Sequence, residues 1–76
     1  MNRRIHVGQQ VKVIEDTGDG LAIEGPLRLR PGQVVDLVLG PADNCRTVTR
    51  SARVTTWSVA RLGDGGPTYQ GMCLWQ

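Results

Sequence analysis

Apolar and polar residues alternate with a period of two along most of the chain, the pattern of β-strands that bury one face. The clearest case is the stretch 33–39, with Leu37 at the centre of its apolar face. The stretches 11–15 and 21–24 alternate in the same way. No window repeats apolar residues at helical spacing over three turns, so no substantial helix is expected.

The C-terminal part of the chain predicts one long β-hairpin. Its first arm starts near Arg53 and is rich in Val, Thr and Trp, which suit a half-buried strand. The link from Gly63 to Pro67 is dense in turn-forming residues. The second arm, 68–75, carries apolar side chains on both faces, so we expect the other strands to lie against this hairpin.

Turn-forming pairs separate the predicted strands, with Asp-Gly at 19–20 and Pro-Gly at 31–32. Ten glycines and four prolines in 76 residues favour short strands over helices. About six strands without a helix predict an all-β protein, folded as a small closed or nearly closed antiparallel barrel. Residues 1–10 are expected to form a mobile N-terminal arm or an edge strand, and residues 11–76 a single barrel domain.

The core has to be built mainly from aliphatic side chains, because the chain has no Phe, two Trp and one Tyr. A chain of this length buries only about 60% of its unfolded surface, so the core is small. The apolar faces of the predicted strands give these expected core residues: Val13, Leu21, Ile23, Val35, Leu37, Leu39, Val54, Met72 and Leu74.

Composition narrows the choice of environment and partner only slightly. The net charge of +2 neither requires nor excludes a nucleic-acid partner. No apolar run approaches the length of a membrane span, so membrane insertion is not expected. Two cysteines, Cys45 and Cys73, are too few for a disulfide scaffold and match no metal motif, so we expect free thiols in a reducing cytoplasm.

The sequence does not predict an enzyme. His6 is the only histidine, and no Ser–His or Cys–His pair can be argued from the spacing. The acidic residues fall mostly in turns, where Asp and Glu are ordinary surface residues. A binding module with no catalytic residue, no metal site and no resident cofactor is therefore the expected class.

One candidate binding face lies on the first arm of the C-terminal hairpin. Strict alternation places Arg53, Trp57 and Arg61 on the same side of that strand, and we call these three residues the Arg-Trp-Arg stripe. Such a stripe could stack on bases and hold phosphates. The alternative is a solvated sheet face with one tryptophan packed beneath a loop.

Three motifs occur in a recognisable order. The first, Glu15 to Gly20, has the form E-x-T-x-x-G, and a Pro-Gly-Gln turn at 31–33 leads into the next strand. The third, at 69–74, has the form Y-x-G-M-C-L. In this order the motifs resemble the PilZ domain family, a bacterial small barrel that often binds cyclic di-GMP. The resemblance covers most of residues 11–75 and implies a bacterial regulatory module.

The PilZ resemblance is incomplete in the arginine motif RxxxR, with which the family holds its ligand. Here the fourth residues after Arg3 and Arg4 are Val7 and Gly8, so the second arginine is missing. The resemblance therefore implies a degenerate, PilZ-like member that acts mainly through protein contacts and binds cyclic di-GMP weakly or not at all.

Two other functions stay open at this stage. One is a cyclic di-GMP receptor that uses Arg3 and Arg4 together with three residues of the family's turn motif, Glu15, Thr17 and Gly20. The other is a small oligonucleotide-binding barrel that uses the Arg-Trp-Arg stripe. A cyclic di-GMP titration tests the receptor function. Salt-dependent binding to single-stranded nucleic acid tests the oligonucleotide-binding function.

A protein partner or a second copy of the chain is the expected partner, with nucleic acid less favoured and cyclic di-GMP undecided. The last strand carries Trp75 close to the end of the sequence, with no helix after it. An exposed strand with an aromatic residue favours pairing with another edge. The expected contact is therefore a strand edge near Trp75.

Overall fold

The computed structural model describes residues 2–40 and 47–76, which form six β-strands in one sheet. The strands are β1 (Arg3–His6), β2 (Lys12–Asp16), β3 (Gly20–Gly25), β4 (Val34–Leu39), β5 (Val48–Arg61) and β6 (Thr68–Trp75). No helix is present in the described ranges, and the prediction of an all-β protein with about six strands is confirmed.

The sheet is mixed, with the spatial order β1-β4-β5-β6-β3-β2. Four neighbouring pairs are antiparallel, whereas β1 runs parallel to β4. The expectation of a purely antiparallel arrangement is wrong at this pair. Two whole strands separate β1 from β4 along the chain, so no hairpin turn imposes the antiparallel direction.

Strand pairing does not close the sheet into a barrel. The two outermost strands in the order are β1 and β2, and no ladder joins them in the described ranges. The turn between these two strands contains an isolated bridge between Val7 and Val11. In the described ranges the strands therefore form an open sheet.

The core lies on one face of the sheet, which we call the inner face and which carries Ile23, Val54 and Cys73, all with no exposed surface. The opposite, outer face carries Arg53 paired with Leu74. Five predicted core residues are confirmed as buried: Leu21, Ile23, Val35, Leu37 and Val54.

Two predicted core residues are wrong, since Val13 and Leu74 are each 40% exposed. Val13 lies opposite Ile23 but belongs to the outermost strand β2, so nothing flanks it on one side. Leu74 lies on the outer face because its neighbour Cys73 faces the core. Leu39 and Met72 are partly buried.

Residues 26–33 cross the inner face. This segment joins β3 to β4, and β6 and β5 lie between those two strands, so the chain has to pass over both. Leu29 is buried and Leu27 packs against the core, whereas Arg28 and Arg30 stay exposed. Leucine and arginine alternate along this segment, so its leucines close the core although the segment is not part of the sheet.

Three one-residue shifts interrupt the regular pairing. In β2 the shift lies between Val13 and Glu15, and in β5 the shifts lie between Val54 and Thr56 and between Val59 and Arg61. Each bulge turns the following side chains to the opposite face. The two bulges in β5 decide which residues of the long hairpin can form a site.

Candidate functional site

The Arg-Trp-Arg stripe is not a single face. Arg53 pairs with Leu74 on the outer face, whereas Trp57 pairs with Gly71 on the inner face. The second bulge returns Arg61 to the outer face, opposite Thr68. The prediction that the three residues share one side of β5 is wrong, because each bulge adds a residue that strict alternation does not count.

The structure instead brings Trp57 together with two arginines that sequence reasoning did not select. A cleft of about 510 Å³ lies on the inner face, between the crossing segment (residues 26–33) and the end of the β5–β6 hairpin nearest its turn. The residues that line it are Arg28, Leu29, Arg30, Trp57, Ser58, Val59 and Tyr69. Two arginines and two aromatic residues thus line the same cleft.

Hydrogen bonds to the crossing segment hold both aromatic side chains in place. The indole Nε1 of Trp57 donates to the carbonyl oxygen of Leu27 at 3.1 Å. The Nε of Arg28 donates to the phenol oxygen of Tyr69, also at 3.1 Å. Leu29 anchors the same segment in the core, so buried packing supports this wall of the cleft in addition to the two hydrogen bonds.

A turn at the end of the crossing segment holds Arg30 beside β5. The backbone nitrogen of Gln33 donates to the carbonyl oxygen of Arg30 at 3.0 Å, and the side-chain oxygen of Gln33 accepts from the backbone nitrogen of Arg30 at 3.1 Å. Gly32 and Gln33 then hydrogen-bond to the backbone of Val54, at 2.6 and 2.8 Å. Arg30 therefore lies close to where β5 leaves the shelter of β4.

Beyond that point β5 has an unpaired side. The strand is 14 residues long, but its ladder with β4 ends at Arg53, and the bonds of Val54 to the crossing segment continue it by one residue. From Thr56 to Arg61, β6 is the one strand in the described ranges that pairs with β5. We call residues 56–61 on this side the open edge of β5.

The arginines predicted for a nucleotide site lie on the first strand. Arg3 and Arg4 are exposed in β1, where they pair with Val35 and Asp36 of β4. The predicted turn residues belong to β2 and β3, at the other end of the strand order. No hydrogen bond joins Arg3 or Arg4 to that turn in the described residues.

The turn residues have structural roles of their own. The hydroxyl and backbone nitrogen of Thr17 both donate to the carbonyl oxygen of Gly20, at 3.3 and 3.1 Å, and close the turn. A Cβ at Gly20 would collide with the backbone carbonyl of Cys73, so glycine is required where the two strands approach. Glu15 is exposed and lies opposite Ala22.

Trp75 does not lie on a free edge. Its strand β6 is sheltered by β5 on one side and β3 on the other, and the Trp75 backbone nitrogen donates to the Asp19 carbonyl oxygen at 2.9 Å. The guanidinium of Arg50 stacks 4.2 Å from the centre of the Trp75 ring. The prediction of a contact edge near Trp75 is therefore wrong, because β6, the last strand in the chain, lies in the middle of the sheet.

The cysteine chemistry is that of a buried thiol. Cys73 is free and completely buried, and burial raises the pKa of its thiol to about 11. A thiol that stays protonated at neutral pH is a poor nucleophile. Cys45, the other predicted free thiol, lies outside the described residues.

In the described part of the chain, no three His, Cys, Asp or Glu side chains cluster as metal ligands would. Residues 2–40 and 47–76 include no helix that is long and apolar enough to cross a membrane.

Arg28 and Arg30 were not among the predicted site residues, because leucine and arginine alternate over only four residues there. The useful signal was the composition of 26–31, where alternating leucine and arginine are enclosed by two prolines. Proline disfavours pairing on both sides, which is typical of a segment that crosses a sheet.

Comparison with protein-family models, curated proteins and solved structures finds no match to this chain.

Proposed function

We propose that this domain is a non-catalytic regulatory or adaptor module that binds a protein partner as an added β-strand along the open edge of β5. The observation that carries the proposal is the mismatch in length between β5, with 14 residues, and β4, with six. The six residues of the open edge, which pair with β6 on their other side, extend over about 20 Å, enough for a recognition strand.

The other two edges are less suited to such a partner. β1 has only four residues, and two of them are the arginines Arg3 and Arg4. β2 is interrupted by its bulge at Ile14 and carries charged residues at both ends. Short, charged and bulged edges are features that discourage pairing with other chains. The open edge of β5 has a bulge of its own between Val59 and Arg61, but it spans six residues and exposes an apolar side chain, with Val59 being 54% exposed.

The order of the PilZ-like motifs supports a regulatory role for this module. The missing second arginine of the RxxxR motif supports weak or absent binding of cyclic di-GMP, because Arg3 and Arg4 lack the partner with which the family holds its ligand. The proposed ligand of this module is therefore a protein rather than a nucleotide.

A second candidate function is favoured by the lining of the cleft. Two arginines beside Trp57 and Tyr69 are the groups that bind single-stranded nucleic acid through phosphate contacts and stacking. Phosphodiester oxygens could accept from the N–H groups of the open edge but cannot donate to the carbonyl groups of β5, so a nucleic-acid backbone would satisfy only part of that edge. An added peptide strand satisfies both kinds of backbone group.

The experiment that tests strand addition uses extended peptides with N-methyl groups on alternate residues. A peptide in an edge ladder bonds through every second N–H, so methylation of one set of residues should abolish binding and methylation of the other set should preserve it. The two peptides have the same composition and charge, and each controls for the other. Equal binding of both would contradict strand addition, as would no binding of the parent peptide.

A further inference from the structure

The partner strand has a definite chemistry if the proposed function holds. Resting on that function, we infer that the added strand is acidic and that its carboxylates face Arg28 and Arg30 across the cleft. The inference names a binding site for carboxylate side chains on the inner side of the open edge of β5.

The two arginines of the cleft lie beside the open edge of β5. The turn from Arg30 to Gln33 is bonded to Val54, immediately before the open edge begins. Arg28 lies further along the cleft and reaches Tyr69 of β6. Arg28 and Arg30 thus line the cleft on the inner side of the hairpin, where every second side chain of an added strand would point.

The side chains that line the cleft carry positive charge. The residues that line it include two arginines and no carboxylate. A guanidinium has five N–H donors, so the bond from Arg28 to Tyr69 leaves most of them for a ligand. Arginine binds planar carboxylates through paired, charge-assisted hydrogen bonds, which favours Glu or Asp at the inward positions of the partner.

A second copy of this chain fits the site less well. Pairing of two open edges about a two-fold axis brings the same surface of each copy together, so the arginine-lined clefts would lie on one shared sheet. Like charges brought together in this way oppose association. An acidic segment of another protein removes that repulsion and also fills the ladder.

The test is calorimetric titration of the full chain with three blocked peptides of equal length. They alternate threonine with glutamate, glutamine or lysine, so their backbones are matched and only charge differs. We expect the glutamate peptide to bind at least about tenfold more tightly than the glutamine peptide, since one charge-assisted hydrogen bond is sufficient for that factor. The lysine peptide should bind most weakly.

Variants of the arginines locate the effect. The double change Arg28→Gln/Arg30→Gln should reduce glutamate binding to the level of glutamine binding, whereas Arg53→Gln on the outer face should change it less than about twofold. Arg28→Lys separates charge from structure. It keeps the charge but cannot make paired hydrogen bonds to a carboxylate, so the glutamate preference should fall below that of the natural chain and stay above that of the double change.

The outcomes separate this inference from the function on which it rests. Equal binding of the glutamate and glutamine peptides would overturn the acidic-partner inference while leaving strand addition intact. If no peptide binds, both are overturned. Salt-sensitive binding of oligothymidylate together with no peptide binding would assign the cleft to nucleic acid and also overturn both. Concentration-dependent dimerisation that excludes the peptides would assign the edge to a second copy.

Discussion

Trp57 lies over Gly71, its partner in the β5–β6 ladder. A Cβ at Gly71 would be 2.6 Å from the ring carbon Cε3 of Trp57 and would collide with the carbonyl oxygen of Thr56. The glycine therefore gives the indole the space in which to pack against the sheet, while the bond to Leu27 fixes its other end. One wall of the cleft depends on this pair.

Gly71→Ala should destabilise the fold and disturb the cleft. The added methyl group has to displace both backbone and indole, and overpacking of this kind costs about 1–3 kcal/mol. Chemical denaturation measures the loss, and tryptophan fluorescence reports the move of Trp57. Gly63→Ala is the matched control, because a Cβ there meets nothing within 4 Å. Equal stability of the two variants would contradict this packing.

Leu37→Ala should cost roughly 2–5 kcal/mol in the free energy of unfolding. Leu37 has no exposed surface and lies between Ile5 of β1 and Arg50 of β5 in the sheet. Leu62→Ala is the control for the same chemical change, because Leu62 is 79% exposed. A loss below about 1 kcal/mol at Leu37 would show that its side chain faces away from the core.

The buried thiol predicts a loss of stability at high pH. Burial raises the pKa of Cys73 from 9.0 to about 11, so the folded chain holds this proton more tightly than the unfolded chain. The resulting stability is fully present below about pH 9 and is lost as the pH rises through about 11. Two pH units correspond to at most about 2.7 kcal/mol.

The measurement for Cys73 compares unfolding of the natural chain and Cys73→Ala across this pH range. Other groups titrate in both proteins, so the difference between the two curves isolates the thiol. The gap should narrow between about pH 9 and 11. Parallel curves would mean that the thiol titrates alike in the folded and unfolded chains, which its complete burial does not allow.

Cyclic di-GMP should bind weakly or not at all. If the chain is PilZ-like, the missing second arginine should weaken binding by roughly ten- to a few hundred-fold, which would move micromolar affinity toward the millimolar range. Calorimetry on the natural chain and on the double change Arg3→Ala/Arg4→Ala measures this directly. Low-micromolar binding that the double change abolishes would show that β1 and the Glu15–Gly20 turn do form a site.

Local patterns were sufficient to predict the fold class and much of the core. Turn-forming residues define most strand ends, and alternation selects the buried side of a regular strand such as β4, where Val35 and Leu37 are fully buried. Alternation fails after an inserted residue, because a bulge reverses the faces without leaving a clear mark in the sequence. Trp57 was therefore placed on the wrong side of β5.

The order of strands in space was not accessible from the sequence. The parallel partner of β4 is a polar stretch at the N-terminus, and only Ile5 in it is buried. Likewise, nothing local indicates that the last strand, with Trp75, lies between β5 and β3. The cleft depends on this long-range order, since the crossing of 26–33 over the hairpin is what brings Arg28 and Arg30 to Trp57.

The most direct test of strand addition is a nuclear magnetic resonance titration of the ¹⁵N-labelled chain with the threonine–glutamate peptide. We expect shifted and exchange-protected amides along Thr56 to Arg61, with further shifts at Arg28 and Arg30 and none along Lys12 to Asp16. Protection confined to β1 or β2, or shifts spread over the outer face around Leu74, would contradict binding at the open edge of β5.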